Sequence, residues 1–195
     1  MTDRNIRQTR SFDSQFEIRE EQRENETDLY IEGYFAVFNS MYEMFPDATE
    51  SVAEGAFSDT LGGDIRCLID HDTMYVLGRN KAGTLELRED SHGLWGRVHI
   101  NPKDADAMNL YERVKRGDVD QCSFGFDILE EDTEINGEKI HWTIKKVKLY
   151  EVSICTFPAY TETSVSARKE DYEQIKKRMN DEWRSRALNR LKGDK

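Results

Sequence analysis

Cysteine is scarce in this chain of 195 residues, with three copies at Cys67, Cys122 and Cys155. The count is odd and no C-x-x-C occurs, which excludes a disulfide framework and a zinc ribbon and points to a reducing, cytosolic setting. No apolar run approaches the roughly 18 residues of a membrane span, and the first residues carry no apolar signal stretch, so no membrane association is expected. Positive charge is in deficit, at 28 Lys and Arg against 39 Asp and Glu, a formal net charge of −11. Such a surface repels nucleic acid, so none is expected as a partner. No ligand spacing suits a metal, and the lone Gly62-Gly63 pair is no phosphate loop, so no cofactor is expected. Prolines number only three. Each stands at a boundary: Pro46 in a turn, Pro102 at a helix start, Pro158 after a strand.

Hydrophobic residues make up 37% and charged residues 34%, a polar balance that implies solvated appendages around a compact centre. Three regions follow. Residues 1–28 form a polar N-terminal extension, loosely ordered apart from a short strand within Phe12–Ile18, where apolar residues share a parity. Residues 29–167 form the folded domain. Tyr30–Phe38, Ile65–His71, Thr84–Arg88 and Leu94–Ile100 read as strands, and Asn39–Ser51 as a loop. Asn101 as N-cap, Pro102 and the 107, 110, 111, 114 apolar repeat mark a helix closed by Gly117. Gln121–Leu129 alternates Cys122, Phe124, Phe126 and Ile128 against Ser123, Gly125 and Asp127. Asn136-Gly137 reads as a type I′ hairpin, and Val147–Phe157 is a further strand. Residues 168–195 form an amphipathic helical tail through Tyr172, Ile175, Met179, Trp183, Ala187 and Leu191. The tail holds ten Lys and Arg against six Asp and Glu, so a helix of net +4 is joined to a body of −15.

Among these segments, Ser123 and His71 are the residues best placed for chemistry. A serine hydroxyl needs an adjacent base, histidine is the usual one, and a third polar group must orient the ring. Ser123 shares its strand face with Gly125, whose missing side chain leaves room for a substrate backbone. His71 closes an apolar run and opens a polar loop, a common place to display a functional side chain. Glu151 stands inside the apolar run 149–155, where a buried carboxylate needs a partner such as an imidazole; an edge strand with Glu151 in water is the plainer alternative. Asp72 is a further candidate to orient a ring, though neighbouring residues on a strand face apart. His92, His99 and His141 read as surface or half-buried rings. Cys122 is an alternative nucleophile, but its parity with Phe124 and Phe126 suggests core packing.

Taken in order, several segments resemble the prohead proteases of tailed bacteriophages. They are Ile31–Phe38, Glu50–Phe57, His71-Asp72 with Leu77-Gly78-Arg79, Thr84–Leu87, Ser123-Phe124-Gly125-Phe126, and Leu149–Ser153 with Pro158-Ala159-Tyr160. The resemblance covers about residues 29–167, and its specificity lies in the order and spacing of the pieces. It departs from the commonest pattern at Glu54, where proline is frequent. The resemblance implies an α+β, mainly β fold: a barrel-like antiparallel core with surrounding helices, similar to herpesvirus protease. It implies a serine endopeptidase with Ser123 as nucleophile, His71 as base and Glu151 as third member, where herpesvirus relatives use a second histidine. It further implies, as partners, the phage major capsid protein and its scaffold segment or scaffold protein, with self-cleavage and self-association, in host cytoplasm inside the assembling prohead. A non-enzymatic assembly protein that keeps the fold is the alternative.

Overall fold

The computed structural model describes residues 8–14, 16–23, 27–157 and 162–193. In chain order its strands are β1 (Gln8–Asp13), β2 (Glu17–Gln22), β3 (Thr27–Val37), β4 (Tyr42–Phe45), β5 (Ala48–Val52), β6 (Arg66–Ile69), β7 (Asp72–Arg79), β8 (Leu85–Glu89) and β9 (Gly93–Ile100). Helix α1 (Ala105–Arg116) follows, then β10 (Gln121–Asn136), β11 (Lys139–Cys155) and helix α2 (Glu162–Gly193). Pro158, expected to stop the last strand, lies outside the described residues, as do Ala159 and Tyr160.

β11 is the spine. Its long run of alternating apolar residues lets one strand serve two partners on its far edge. Ile140–Ile144 pairs in parallel with β5, and Glu151–Ile154 pairs in parallel with β6. Its other edge pairs antiparallel with β10, which in turn pairs with β1. The first sheet therefore runs β1-β10-β11-β5-β4, with β6 and β7 branching from β11. The second runs β2-β3-β9-β8.

The two sheets bury a common core. Ile31, Phe35, Leu94 and Val98 of one meet Phe124, Phe126, Val152 and Ile154 of the other, and Leu110, Tyr111 and Val114 of α1 join them. Phe57, carried in on the turn after β5, sits edge-on to Phe124 with ring centroids 5.2 Å apart. Rings of this size supply much of the apolar area removed from water. The expected mainly β, α+β composition is what forms.

The expected barrel-like antiparallel core is not. Among the described residues the sheets stay open, with β1 and β4 as edges of one and β2 and β8 of the other. Pairing with β5 and β6 is parallel, because both arrive by crossovers rather than hairpins. The polar N-terminal region, expected to be largely loose, supplies one edge strand to each sheet. The charged residues of β2 suit the exposed side of an edge strand. Residues 39–51, expected as a loop, contain the β4–β5 hairpin, which turns through Asp47 at a φ of 67°. The segments read separately around 121–144 fuse into two unbroken strands. Asn136 pairs with Lys139, so the loop is Gly137-Glu138. Only Gly137 has a positive φ, 63°, which fits a type II′ rather than a type I′ turn.

Helix α1 buries the expected face. Its N-cap is Asp104 rather than Asn101: the Asp104 carboxylate accepts from the Asp106 and Ala107 amides. Asn101 instead accepts from the Lys103 amide, 3.0 Å away, in the preceding turn. α2 packs only by its beginning. Arg168 and Ile175 are buried, while Trp183 is 70% exposed and Leu188 56%.

Candidate active site

The site is built on one hairpin and two adjacent strands. Ile69 pairs with Asp72, so β6 and β7 are joined by a loop of two residues, Asp70-His71. Both have a left-handed backbone, with φ of 48° and 62°, the pattern of a type I′ turn. The turn is pinned to the end of β11: the Asp70 amide donates to the Ile154 carbonyl at 3.1 Å, and the Thr156 amide donates to Asp70 Oδ1 at 2.9 Å. The loop is thus held on the strand that carries Glu151.

His71 Nδ1 and Glu151 Oε1 are 2.7 Å apart. Glu151 is 3% exposed, so the carboxylate is no edge residue in water. Ser153, two residues along on the same face, holds both partners. Its hydroxyl donates to Glu151 Oε2 at 2.7 Å and accepts from the His71 backbone amide at 3.3 Å. Each carboxylate oxygen therefore has one hydrogen bond, and the ring is fixed relative to the strand. With Nδ1 turned to the carboxylate, Nε2 is the nitrogen left for proton transfer. It is buried, with no hydrogen-bond partner among the described residues.

Gly125 pairs directly with Glu151 across β10 and β11. A Cβ at Gly125 would lie 2.2 Å from Glu151 Oε1. The glycine makes room for this carboxylate, and not for a substrate backbone as the sequence alone suggested. Ser123 stands two pairs further along, opposite Ser153, and is fully buried. Its hydroxyl donates to the Arg10 carbonyl of β1 at 2.9 Å. The fold thus joins His71 and Glu151 directly and sets Ser123 on the neighbouring strand, across from Ser153. No hydrogen bond between Ser123 and His71 occurs among the described residues.

The other candidates lie elsewhere. Asp72 caps its own loop, accepting from the Met74 amide at 2.8 Å. His141 is held between Thr49 Oγ1 at 2.8 Å and Ser51 Oγ at 2.9 Å. His99 stacks on Tyr30, and His92 meets the Tyr34 ring edge-on. Cys122 is buried in the core with its Sγ 3.3 Å from the Tyr34 carbonyl. Burial pushes the Cys67 and Cys155 thiols well above the usual range, with nearby Glu151 and Asp70 among the further causes. The thiolate form that attacks is therefore disfavoured there.

Sequence reasoning missed Ser153 and a buried ionic cluster nearby. Arg10 of β1 and Arg168 of α2 both bond Glu50 of β5, with Arg10 Nη2 and Arg168 Nε each 2.9 Å from Glu50 Oε2. Arg168 also reaches Glu131 at 2.9 Å and lies over the Trp142 ring. All three members of this latch, Arg10, Glu50 and Arg168, are at most 3% exposed. Burial alone would raise the Glu50 carboxyl, but the two arginines outweigh it and hold it below its ordinary value. No local signal marks the latch, since Glu50 falls in a stretch that reads as a loop and its partners stand 40 and 118 residues away.

The fold resembles that of a solved capsid assembly protease. The structure of the bacteriophage T4 capsid assembly protease, gp21, superposes with a TM-score of 0.54 over 76% of this chain and 96% of that one, at 12% sequence identity. The description "Caudovirus prohead serine protease" belongs to the family whose model matches residues 14–178, and this chain is a member of that family. The prohead protease of Enterobacteria phage HK97 is 30% identical over 143 residues, which are 71% of this chain and 60% of that protein. The chain thus spans less than two thirds of that relative's length.

Proposed function

We propose that this chain is a serine endopeptidase of prohead maturation, with Ser123 as nucleophile, His71 as general base and Glu151 as the orienting carboxylate. The observation that carries the reading is the 2.7 Å contact between His71 Nδ1 and Glu151 Oε1, beside a serine in register with Ser153. In this reading Nε2 takes the Ser123 proton as Oγ attacks a peptide carbonyl carbon. The imidazolium so formed is stabilised by Glu151, and it then protonates the leaving amine. Water repeats the sequence to hydrolyse the acyl-enzyme. Family membership supports, as substrates, the capsid protein and its scaffold, with self-cleavage, inside an assembling prohead in host cytoplasm.

The test is co-expression with the cognate capsid and scaffold proteins, read by intact-mass spectrometry of every chain. Cleavage that vanishes in Ser123→Ala supports the reading. Cleavage that persists in Ser123→Ala removes the serine from its role. A wild-type chain that cleaves nothing, yet is needed for shell assembly, favours a non-enzymatic scaffold role.

A further inference from the structure

In this structure the nucleophile is occupied. β1 runs antiparallel along the outer edge of β10 with Ser11 opposite Ser123. No other strand pairs with β1 among the described residues, so β1 is an added edge. Arg10 presents its backbone carbonyl to the Ser123 hydroxyl at 2.9 Å. An extended chain that shows a carbonyl to the nucleophile is what a substrate peptide offers when it docks by strand addition. The contact is unproductive: the hydroxyl donates its only proton to the carbonyl oxygen, whereas attack requires that proton on His71 Nε2 and the oxygen lone pair on carbon. His71 Nε2, meanwhile, is buried and has no partner among the described residues. Neither Ser123 nor Ser11 is accessible, at 0% and 3% exposure.

Beyond its backbone ladder with β10, the occupant is held by a buried side-chain ion pair. The Arg10 side chain bonds Glu50, and Glu50 also bonds Arg168 at the start of α2. The N-terminal strand and the C-terminal helix, which flank the folded domain on either side, therefore meet on a single carboxylate.

We propose that β1 is an intramolecular occupant of the substrate edge of β10, latched by Arg10 and Glu50, and that a peptide to be cut must displace it. This rests on the serine-peptidase reading. Because Arg168 shares Glu50, loss or movement of α2 loosens β1, which couples the fate of the tail to the opening of the site.

The full-length chain tests this with a fluorophosphonate that labels reactive serines, alongside hydrogen exchange of residues 8–14. Arg10→Ala is expected to label Ser123 at least about tenfold faster than wild type, with faster exchange confined to β1. A second variant, Asp13→Cys with Gln121→Cys, joins a cross-strand pair and needs no weakened latch. Its oxidised form is expected to label more slowly than wild type, with dithiothreitol restoring the rate. Equal labelling of the oxidised and reduced forms overturns the inference, as does faster labelling in Arg10→Ala without faster exchange of β1. If β1 exchanges faster in Arg10→Ala and no variant labels, the serine-peptidase reading fails and the inference falls with it. If labelling occurs but ignores β1, only the inference falls.

Discussion

Gly125→Ala is a severe test of the proposed site, because it adds one methyl group and touches none of the three proposed catalytic residues by substitution. The added carbon would meet Glu151 Oε1 at 2.2 Å, Cδ at 3.0 Å and Cγ at 3.3 Å. Carbon and oxygen in contact need more than about 3 Å, so the carboxylate must retreat by roughly 1 Å. It has little freedom to do so, being bonded to His71 and Ser153 in a buried setting. Retreat weakens one or both of those bonds, each worth about 1.5–3 kcal/mol when charge-assisted. The backbone at 125 has no positive φ, so the cost falls on the side chains. The fold should survive, destabilised by about 1–3 kcal/mol as for other overpacked sites. A displacement of about 1 Å in a catalytic constellation costs about 100-fold in rate. The assay is kcat for a peptide substrate beside a thermal melt, with the ring-proton NMR signal of His71 as a direct reading of the hydrogen bond. Glu151→Asp in the same background, shorter by one methylene, should recover stability and not rate. A Gly125→Ala chain with unchanged kcat and an unchanged His71 signal would refute the role given to Glu151.

Ser153→Ala should lower kcat by about tenfold to 100-fold with KM unchanged, since it frees one carboxylate oxygen and the His71 amide without touching substrate; a change confined to KM would contradict this. The acid-sensitive group of the latch is Glu50, set among Arg10 from β1, Arg168 and Asp171 from α2 and Glu131 from β10. Its carboxyl is held below the ordinary value of 4.5. The unfolded chain therefore takes up its proton first as the pH falls, and the latch's contribution, complete at neutral pH, is lost progressively below about 4.5. Hydrogen exchange of β1 should quicken in that window, and exchange that stays flat down to acid unfolding would contradict the assignment. Trp183→Ala removes a ring that is 70% exposed and should shift the melting temperature by less than about 1 °C, because little apolar area is uncovered. A large drop would mean that α2 packs along its whole length.

The proposed triad was legible because each member broke a local pattern. Glu151 is the one carboxylate in an apolar run, His71 ends another, and Ser123 sits near a glycine in a third. What the sequence hid was set by pairing over long distances. Gly125 announces a missing side chain without saying what fills the space, and the answer lies on the next strand in Glu151. β1 and β2 carry too many charges to read as strands, because edge strands show no clean alternation. Arg10 is one arginine among many until β1 is docked beside β10 and its side chain meets Glu50 of β5, which Arg168 of α2 also bonds. The N-cap moved from Asn101 to Asp104 because both are good caps, and their rank depends on where the chain leaves β9. The barrel expectation failed at closure, a property of how strands meet at a sheet's ends rather than of any segment.

The left-handed turn that carries His71 links the site to inheritance. Asp70 and His71 hold the two positions where such turns favour Asn-Gly or Asp-Gly, and a non-glycine residue there costs about 1–2 kcal/mol. In the proposed mechanism, the need for a base is what keeps an imidazole at 71 against that cost. A descendant freed from that need would gain backbone stability from His71→Gly but would strand a buried carboxylate at Glu151. The two positions are therefore expected to change together, an Asp-Gly turn arriving with a neutral residue at 151. Gly125, no longer needed for clearance, would then be free to vary, leaving a three-position signature of lineages that keep the fold and abandon the proposed cleavage.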